Sequence, residues 1–407
     1  MEKFPLCKFC MARFKKKRAA VSAAGDGGSC FICGGAASCL SSLVKSSVQQ
    51  SSSFEWGTFS VSTSFPRSVL AREEKVADHY APGEFSALKN SINALAIAEI
   101  SSQTGKQNSQ RFADAIFSLD FVSKASKAMP TPICILGHYQ KFSRKHCQSR
   151  WHCSECGGKG CQSCGGSGQN YPSVEDEIGK VLQPLFGAAS ATLHASGRED
   201  VDVRMLGNGR PFVMELKNPK KRNADLKAAE KELASNPAVR VLGLQSVPPF
   251  FVDAVCNSHF EKEYSALVSA DRPLTKQDAA KVESLSGTML FQQTPTRVLG
   301  RRADLERRRK VLSISASAEN PLASSHRFSG NPAGSTYCPF SKAEGAGDGG
   351  KLRLKILAEA GTYIKELIHG DEGRTKPSLS SLLGCRTACE ELDVVRIRDY
   401  FLETLSD

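Results

Sequence analysis

Long apolar runs are missing from this 407-residue sequence. No stretch reaches the roughly 18 apolar residues that a membrane-spanning helix needs, so we expect no membrane span. The N-terminal residues are charged and contain Cys7 and Cys10, but they lack the apolar core of a secretory signal. We therefore expect a soluble protein of a reducing compartment, cytoplasmic and/or nuclear.

Cofactor-binding fingerprints are missing as well. The sequence contains neither the glycine-rich dinucleotide motif nor a phosphate-binding P-loop. We therefore expect no organic cofactor. Internal repeats of about 20–50 residues, which indicate solenoids or propellers, are also absent.

What the sequence does have is an excess of positive charge. Lys and Arg total 54 against 42 Asp and Glu, and the formal net charge is +12. Such an excess favours a polyanionic partner, with nucleic acid as the first candidate. A basic protein with a merely solvated surface is the alternative.

The sequence is also rich in cysteine, with 15 residues. In a reducing compartment these are expected to be thiols or metal ligands rather than disulfides. Eight of them form two groups of paired Cys-x-x-Cys motifs: Cys7, Cys10, Cys30 and Cys33, and Cys153, Cys156, Cys161 and Cys164. Two such pairs bring four thiolates to one tetrahedral ion, the geometry that zinc prefers. Free dithiols or a redox motif are the alternative, but no thioredoxin-like context supports them.

Both cysteine groups are predicted to be closed metal sites. With every ligand supplied by the protein, neither group leaves an open position for a substrate. We therefore expect structural zinc, one or two ions in all. His152 adjoins the second group and is expected to be a bystander rather than a ligand.

Positive charge is concentrated in residues 15–18, 217–222 and 297–310. Each Lys or Arg set against a phosphate releases counterions and adds salt-dependent affinity. A solvated face or a localisation signal is the preferred interpretation for residues 15–18. For residues 297–310 we expect RNA contacts, because the polar stretch before them contains a turn-setting Pro and indicates a shaped loop. The candidate RNA-binding residues are Lys217, Arg297, Arg301 and Arg302.

One loop carries a candidate nucleophile. Residues 197–203, with the sequence GREDVDV, are interpreted as a tight turn that places Asp200 at the entrance of a strand. Apolar alternation over 201–205 and 212–216 predicts two strands, and Asn208-Gly209 between them predicts the turn of a β-hairpin. A carboxylate held rigidly and partly shielded from water suits a nucleophile better than a solubilising charge.

The remaining segments predict both helices and strands. Residues 54–148 have a mixed α/β pattern. Ser173 is expected to cap a helix whose apolar positions include Ile178 and Leu182. Residues 314–349 are rich in Ser, Ala and Gly and are interpreted as a disordered insertion. Alternating apolar residues from Leu352 onwards predict a strand.

Several motifs of this chain, in this order, resemble one known family. They are GREDVDVR at 197–204, GNGRPF at 207–212, KNP at 217–219, KEY at 262–264, QTPTRVLGRR at 293–302, AGTYIKEL at 360–367 and HGDEGRT at 369–375. Together they resemble the tRNA pseudouridine synthase family of archaea and eukaryotes that acts on the TΨC loop. The cysteine segments 4–10 and 151–168 resemble its archaeal-type N-terminal half. Residues 54–148 match only weakly, where the family has a THUMP-containing RNA-binding domain.

The resemblance implies an α+β protein with two functional halves. Residues 171–407 would form a pseudouridine synthase domain with a mixed, mostly antiparallel sheet, interrupted by the insertion. Residues 1–35 would be a zinc-binding segment. Residues 36–170 would form a THUMP-like accessory domain that grips tRNA and ends in the second cysteine group. The protein would act as a monomer on tRNA and would not bind a membrane.

The resemblance also implies roles for individual residues. Asp200 would be the nucleophile that attacks the uracil ring or the ribose C1′ of uridine 54 and/or 55. Arg198 would help to extrude that uridine, and Tyr264 would stack on the flipped base and take part in proton removal. Lys365 would pair with the Asp200 carboxylate, and Leu367 would line the apolar floor of the pocket. A lysine from a neighbouring strand could keep a buried carboxylate ionised.

A non-catalytic, zinc-dependent tRNA-binding protein is the alternative. It would keep the cysteines and the basic segments but would not need Asp200, Tyr264 and Lys365 together. A DnaJ-like chaperone adaptor would explain only the second cysteine group, and the sequence has no J-domain signature.

Overall fold

The computed structural model describes residues 4–15, 21–23, 29–80, 83–300, 302–318 and 350–400. Among these residues, no helix is both long enough and apolar enough to cross a membrane. The helices are α1 (Lys8–Ala12), α2 (Leu40–Gln50), α3 (Arg67–Ala77), α4 (Leu88–Thr104), α5 (Val174–Phe186), α6 (Leu226–Ala234), α7 (Phe250–Cys256), α8 (Lys276–Glu283), α9 (Ile364–His369) and α10 (Leu379–Leu383). The strands of the N-terminal part are β1 (Phe4–Leu6), β2 (Val21–Ala23), β3 (Thr58–Ser64), β4 (Gln107–Asn108), β5 (Ala115–Asp120) and β6 (Ala125–Pro130). The later strands are β7 (Ile133–Lys141), β8 (Ser190–Ala195), β9 (Arg204–Lys217), β10 (Val239–Val247), β11 (Lys262–Ala270), β12 (Met289–Gln293), β13 (Glu306–Ala318), β14 (Lys351–Ala358), β15 (Thr375–Lys376) and β16 (Thr387–Ile397).

A smaller hydrophobic core lies within residues 4–121. Its four-stranded sheet has the order β4-β3-β5-β6, with β3 parallel to both of its neighbours. Helix α4 buries Leu88, Ile92, Ala96 and Ile100, which recur every four residues and therefore share one face. The predicted mixture of helix and strand in this region is confirmed as far as β6.

A larger core lies within residues 133–397 around one extended sheet. The strand order is β10-β7-β9-β16-β11-β14-β13-β12-β15, and β8 pairs with β9. Only the short β9–β16 pairing is parallel in this sheet, whereas its other described pairings are antiparallel. The predicted α+β class with a mostly antiparallel sheet is confirmed.

Strand β7 lies in the larger sheet rather than in the accessory unit. It pairs with β9 on one side and with β10 on the other. Its first five residues are all buried, which is the pattern of a strand that is covered on both faces. The expected domain boundary near residue 170 therefore divides a single core, and the change from one core to the next falls between β6 and β7.

The predicted hairpin at Asn208-Gly209 is wrong. Strand β9 runs without a break from Arg204 to Lys217. The Asn208 side chain donates to the Ile397 carbonyl at 2.7 Å and accepts from the Ile397 N–H at 3.0 Å, so it substitutes for strand pairing at the end of β16. The positive φ angles of Gly207 and Gly209, 61° and 80°, accommodate a local irregularity instead of a turn.

Two local predictions have different outcomes. The Ser173 cap is confirmed, because its hydroxyl accepts a hydrogen bond from the Asp176 N–H at 3.1 Å at the start of α5. The insertion does not begin at residue 314, because residues 314–318 continue β13 and pair with β14. Burial of Ile314 against the larger core explains why this stretch is a strand. Residues 319–349 lie outside the described residues.

The close approach of β9 to β16 predicts that Gly207→Ala destabilises the fold. A Cβ atom at Gly207 would lie 1.8 Å from the Val395 carbonyl oxygen, with φ at +61°. Gly243→Ala is the matched control, since φ is +65° but no atom lies within 4 Å. We expect the control to cost about 1–2 kcal/mol from backbone strain alone. Gly207→Ala should cost about 2 kcal/mol more, measured by urea unfolding. Equal losses in the two variants would contradict the close contact.

Candidate active site

The loop between β8 and β9 presents Asp200 between two cations. Asp200 Oδ1 lies 2.9 Å from Arg297 Nη1, and Asp200 Oδ2 lies 3.3 Å from Lys365 Nζ. The Asp200 side chain is 38% exposed, so it is reachable from solvent while its charge is paired. The predicted pairing of Asp200 with Lys365 is therefore present in the structure.

Each of these cations also has a second carboxylate partner. Arg297 Nε lies 2.7 Å from Glu366 Oε1, and Lys365 Nζ lies 2.8 Å from Asp202 Oδ1. The side chains thus form a charge chain of alternating sign, defined as Glu366–Arg297–Asp200–Lys365–Asp202. Asp200, the candidate nucleophile, occupies its centre.

The charge chain fixes the ionisation of its central members. Burial raises the pKa of Asp200, but the charges of Arg297 and Lys365 outweigh burial and hold the pKa below its ordinary value. Burial lowers the pKa of Lys365, and the charges of Asp200 and Asp202 outweigh that effect and raise it. Asp200 is therefore a carboxylate and Lys365 an ammonium at neutral pH.

Lys365 comes from helix α9, not from a neighbouring strand as the sequence suggested. The helix begins directly after Tyr363, whose backbone is held on both sides by the Gln292 side chain of β12. The Gln292 amide donates to the Tyr363 carbonyl at 2.9 Å and accepts from the Tyr363 N–H at 2.9 Å. This contact holds the residue that precedes α9, and Lys365 lies in the first turn of that helix.

A buried polar network holds the Asp200 loop from behind. Tyr139 donates through its hydroxyl to Glu199 at 2.9 Å, and Arg210 Nε lies 2.9 Å from Glu199 Oε2. The amide of Gln148 donates to the Tyr139 hydroxyl at 2.8 Å and to the Gly197 carbonyl at 2.9 Å. Glu199 thus points into the core while its neighbour, the candidate nucleophile, points out.

The side chain of Lys141 binds the backbone of the same loop. Its ammonium donates to the carbonyls of Asp200 and Val201, each at 3.0 Å, and to the His146 carbonyl at 2.7 Å. Sequence reasoning missed Lys141, as it missed Glu199 and Arg210. For Lys141 and Arg210 the available signal was a charged residue within an apolar strand pattern, since buried charges require partners.

The structure places the other three predicted catalytic residues in different surroundings. Tyr264 is buried on β11, and burial raises its pKa to about 12 although the nearby Arg210 charge opposes that shift. Leu367 is fully buried in α9 and therefore contributes to the core behind Lys365. Arg198 is exposed on the Asp200 loop, where it is accessible to a macromolecular substrate.

The candidate RNA-binding residues lie in different environments. Arg297 belongs to the charge chain. Arg302 is exposed and donates to the Tyr363 hydroxyl at 3.3 Å. Lys217 is exposed at the end of β9, 3.7 Å from Glu215. Arg301 lies outside the described residues.

Both cysteine groups are assembled as possible metal sites. The four sulfur atoms of each group lie within 4.8 Å of one another. Individual Sγ–Sγ distances are 3.8 Å for Cys7–Cys33 and 3.9 Å for Cys153–Cys161. The Cys161 backbone N–H is the largest of the causes that lower the pKa of the Cys164 thiol to about 6. Such N–H groups favour the thiolate form that metal binding requires.

A family model described as "Pus10, C-terminal" matches residues 134–333 and 341–398. The chain is 34% identical to the tRNA pseudouridine synthase Pus10 of Korarchaeum cryptofilum over 91% of this chain and 94% of that protein. It is 32% identical to the protein of the same name from Methanocaldococcus jannaschii over 88% of this chain and 73% of that protein. Among solved structures, a Cbf5-Nop10-Gar1 complex aligns with a TM-score of 0.28 and 18% identity, covering 53% of this chain and 43% of that chain.

The buried network predicts that Glu199→Gln is strongly destabilising. The change keeps the shape and an acceptor for Tyr139, but it leaves Arg210 and Lys141 buried without a counter-charge. Breaking such a pair typically costs about 3–5 kcal/mol. Glu215→Gln, at a partly exposed pair with His194 and Lys217, should cost less than about 1 kcal/mol. The free energy of unfolding in urea measures both, and a neutral Glu199→Gln would contradict the role of the network.

Proposed function

Because the chain belongs to the Pus10 family of tRNA pseudouridine synthases, we propose that it isomerises uridine to pseudouridine in the TΨC loop of tRNA, at position 54, 55 or both. The observation that carries this proposal is the ionised Asp200 carboxylate between Arg297 and Lys365. A solvent-accessible carboxylate that remains charged at neutral pH is suited to nucleophilic attack.

In the proposed reaction an Asp200 oxygen forms a bond to carbon and gives up its negative charge. If ribose C1′ is attacked, the C1′–N1 bond breaks and its electron pair remains on the uracil. The free ring then rotates, C5 bonds to C1′, and the bond to Asp200 breaks. Loss of the C5 proton and protonation of N1 complete the isomerisation. If uracil C6 is attacked instead, the C5=C6 π bond breaks and its electron pair moves onto the C4 carbonyl, so the carboxylate charge likewise passes to the ring. The C1′–N1 bond then breaks, the ring turns, C5 bonds to C1′, and the Asp200–C6 bond breaks.

The target uridine must leave its RNA loop to reach Asp200. A flipped base is usually held by stacking on an aromatic side chain, and we assign this role to Tyr264. A phenol with a pKa of about 12 is protonated at neutral pH, which favours stacking over direct action as a base. Arg198, exposed on the same loop as Asp200, is positioned for contact with the extruded nucleotide or its backbone.

For the cysteine groups we propose structural zinc. Zinc–sulfur bonds of about 2.3 Å in a tetrahedron place sulfurs about 3.8 Å apart, and the Sγ–Sγ distances of 3.7–3.9 Å fit that spacing. All four donors in each group are cysteines, so the ion would stabilise the local fold and would take no part in the reaction.

The N-terminal unit is proposed to be a THUMP-like accessory domain that grips the tRNA body. Its four-stranded sheet with covering helices, together with the net charge of +12 of the whole chain, supports this role. Lys217 and Arg302 are proposed RNA contacts because both are exposed cations. The protein would act as a monomer in a compartment that keeps its thiols reduced.

The decisive experiment is Asp200→Asn. The amide keeps the size of the side chain but removes the nucleophilic charge, so the rate should fall on the order of 1,000-fold or more. Asp225→Asn is the control, since Asn is an equally good cap for α6. Unmodified tRNA transcript is incubated with each protein, and pseudouridine is mapped chemically at each TΨC-loop position. Full activity of Asp200→Asn would refute the assignment of the nucleophile.

A separate prediction concerns metal content. Protein purified under reducing conditions should contain about two zinc ions per chain, because four-thiolate sites prefer zinc. Cys10→Ser and Cys156→Ser should each lose one ion, whereas Cys256→Ser, at an exposed cysteine outside both groups, should lose none. Elemental analysis measures the content. A single ion in the unmodified protein would refute one of the two sites.

A further inference from the structure

We infer that Arg297 is a catalytic residue that acts on the Asp200 carboxylate, and that Asp202 and Glu366 are positioning residues that hold the two cations while Asp200 is bonded to carbon. This inference rests on the proposed function, because it requires Asp200 to be the nucleophile. It replaces the sequence-based interpretation of Arg297 as a contact to the RNA backbone.

The guanidinium of Arg297 is committed to two carboxylates. Nη1 contacts Asp200 and Nε contacts Glu366, at 2.9 and 2.7 Å. Arg297 lies in the 3₁₀ turn Thr296–Val298, and the Thr296 N–H at the start of this turn donates to Asp371 Oδ2 at 2.9 Å. The turn is thus tied to the segment that follows α9. An arginine held in this way is less free to meet a phosphate than the exposed Arg302.

The position of Glu366 is otherwise unexplained. Its side chain is 1% exposed, and among the described residues Oε2 has no hydrogen-bond partner. Burial of a carboxylate with an unsatisfied oxygen is costly unless its charge is paired. The ion pair with Arg297 offsets this cost. Because burial of the Glu366 charge is unfavourable, its presence indicates a role in the site beyond packing.

Charge balance during the reaction explains the outer carboxylates. At rest, the charge chain has three carboxylates and two cations, with a net charge of −1. Once an Asp200 oxygen is bonded to carbon, the carboxylate charge has passed to the uracil. Without further partners, Arg297 and Lys365 would then face a neutral ester and each other, and the charge of Arg297 opposes the net rise in the pKa of Lys365 that Asp200 and Asp202 cause. With Glu366 and Asp202 present, the cations remain in two neutral pairs.

The pH dependence of the reaction tests this arrangement. Among the described residues, Arg297 and Lys365 face the Asp200 carboxylate, Glu366 and Asp202 pair with these two cations, and Lys141 donates to the Asp200 carbonyl. Activity requires ionised Asp200, so it declines as the pH falls through the pKa of that group. Removal of Arg297 takes away a cation that lowers this pKa, and the acid limb must therefore move to higher pH.

The experiment is a single-turnover assay on tRNA transcript from about pH 3 to 8 with Arg297→Gln, Arg297→Lys and Arg240→Gln, a window that reaches the acid limb because the pKa of Asp200 lies below its ordinary value. For Arg297→Gln we expect a rate lower on the order of 100-fold, an acid limb shifted upward, and a tRNA Kd changed less than about twofold. Arg297→Lys restores the charge and should move the limb back towards its original position. Arg240→Gln, at an exposed arginine of β10 outside the proposed site, should leave the rate, the tRNA Kd and the limb unchanged.

A further variant separates this role from simple misfolding. Asp202→Asn removes an anion beside Lys365 at a site where the Asp202 side chain is 63% exposed, so the fold should tolerate it. It should lower the rate while shifting the acid limb downward, opposite to Arg297→Gln, because the pKa of Asp200 falls when a nearby negative charge is lost. General destabilisation would not produce shifts of opposite sign.

One result would overturn the inference. If Arg297→Gln weakens tRNA binding, flattens its salt dependence and keeps the full rate at saturating tRNA, then Arg297 is a phosphate contact. This failure is distinguishable from failure of the proposed function, which would appear as no pseudouridine formed by the wild-type protein, and from a wrong nucleophile, which would appear as full activity in Asp200→Asn. Unchanged acid limbs in both Arg297→Gln and Asp202→Asn would likewise refute the charge chain.

Discussion

The pairing of the Asp200 carboxylate with two cations is the interaction on which the site depends. Its members are far apart in the sequence: Arg297 lies 97 residues after Asp200, and Lys365 lies 163 residues after Asp202. Partly buried ions are unfavourable alone, so each is stable only where the fold brings in the next. The larger sheet does this by placing the β8–β9 loop, the turn after β12 and the start of α9 side by side.

The network behind the loop is more deeply buried, and its charged groups are likewise stable only because they are paired. Glu199 is paired with Arg210 and lies 4.0 Å from Lys141, while Lys141 also binds backbone carbonyls of the loop. Adjacent residues of one loop therefore have opposite tasks. Glu199 fixes the backbone from inside, and Asp200 presents its charge outside. A nucleophile that is fixed before substrate binds requires little reorganisation when the reaction begins.

The sequence predicted what local chemistry determines. The Cys-x-x-Cys spacing and the Ser173 cap act over a few residues, and the structure contains both arrangements. Predictions failed where contacts with a segment distant in the sequence accompany the local conformation. Asn208-Gly209 has the pattern of a turn, but the end of β16 pairs with Asn208 and keeps β9 extended. Lys365 lies in a helix whose preceding residue, Tyr363, is held by Gln292, 71 residues earlier in the chain. A local sequence pattern does not reveal such long-range contacts.

Rigidity of the loop has a consequence for how substrate must bind. Directly after the loop, Arg204 starts β9, pairs in register with Asp393 of β16, and forms an ion pair with its carboxylate at 2.6 Å. The other end of the loop is held by Gln148 at the Gly197 carbonyl. If Asp200 is the nucleophile, as proposed, the conformational change needed to bring uridine and carboxylate together falls on the RNA, since both ends and the centre of the loop are held. The free energy needed to extrude the base must then come from contacts that form with the flipped nucleotide and its backbone. Groups outside the charge chain would make these contacts.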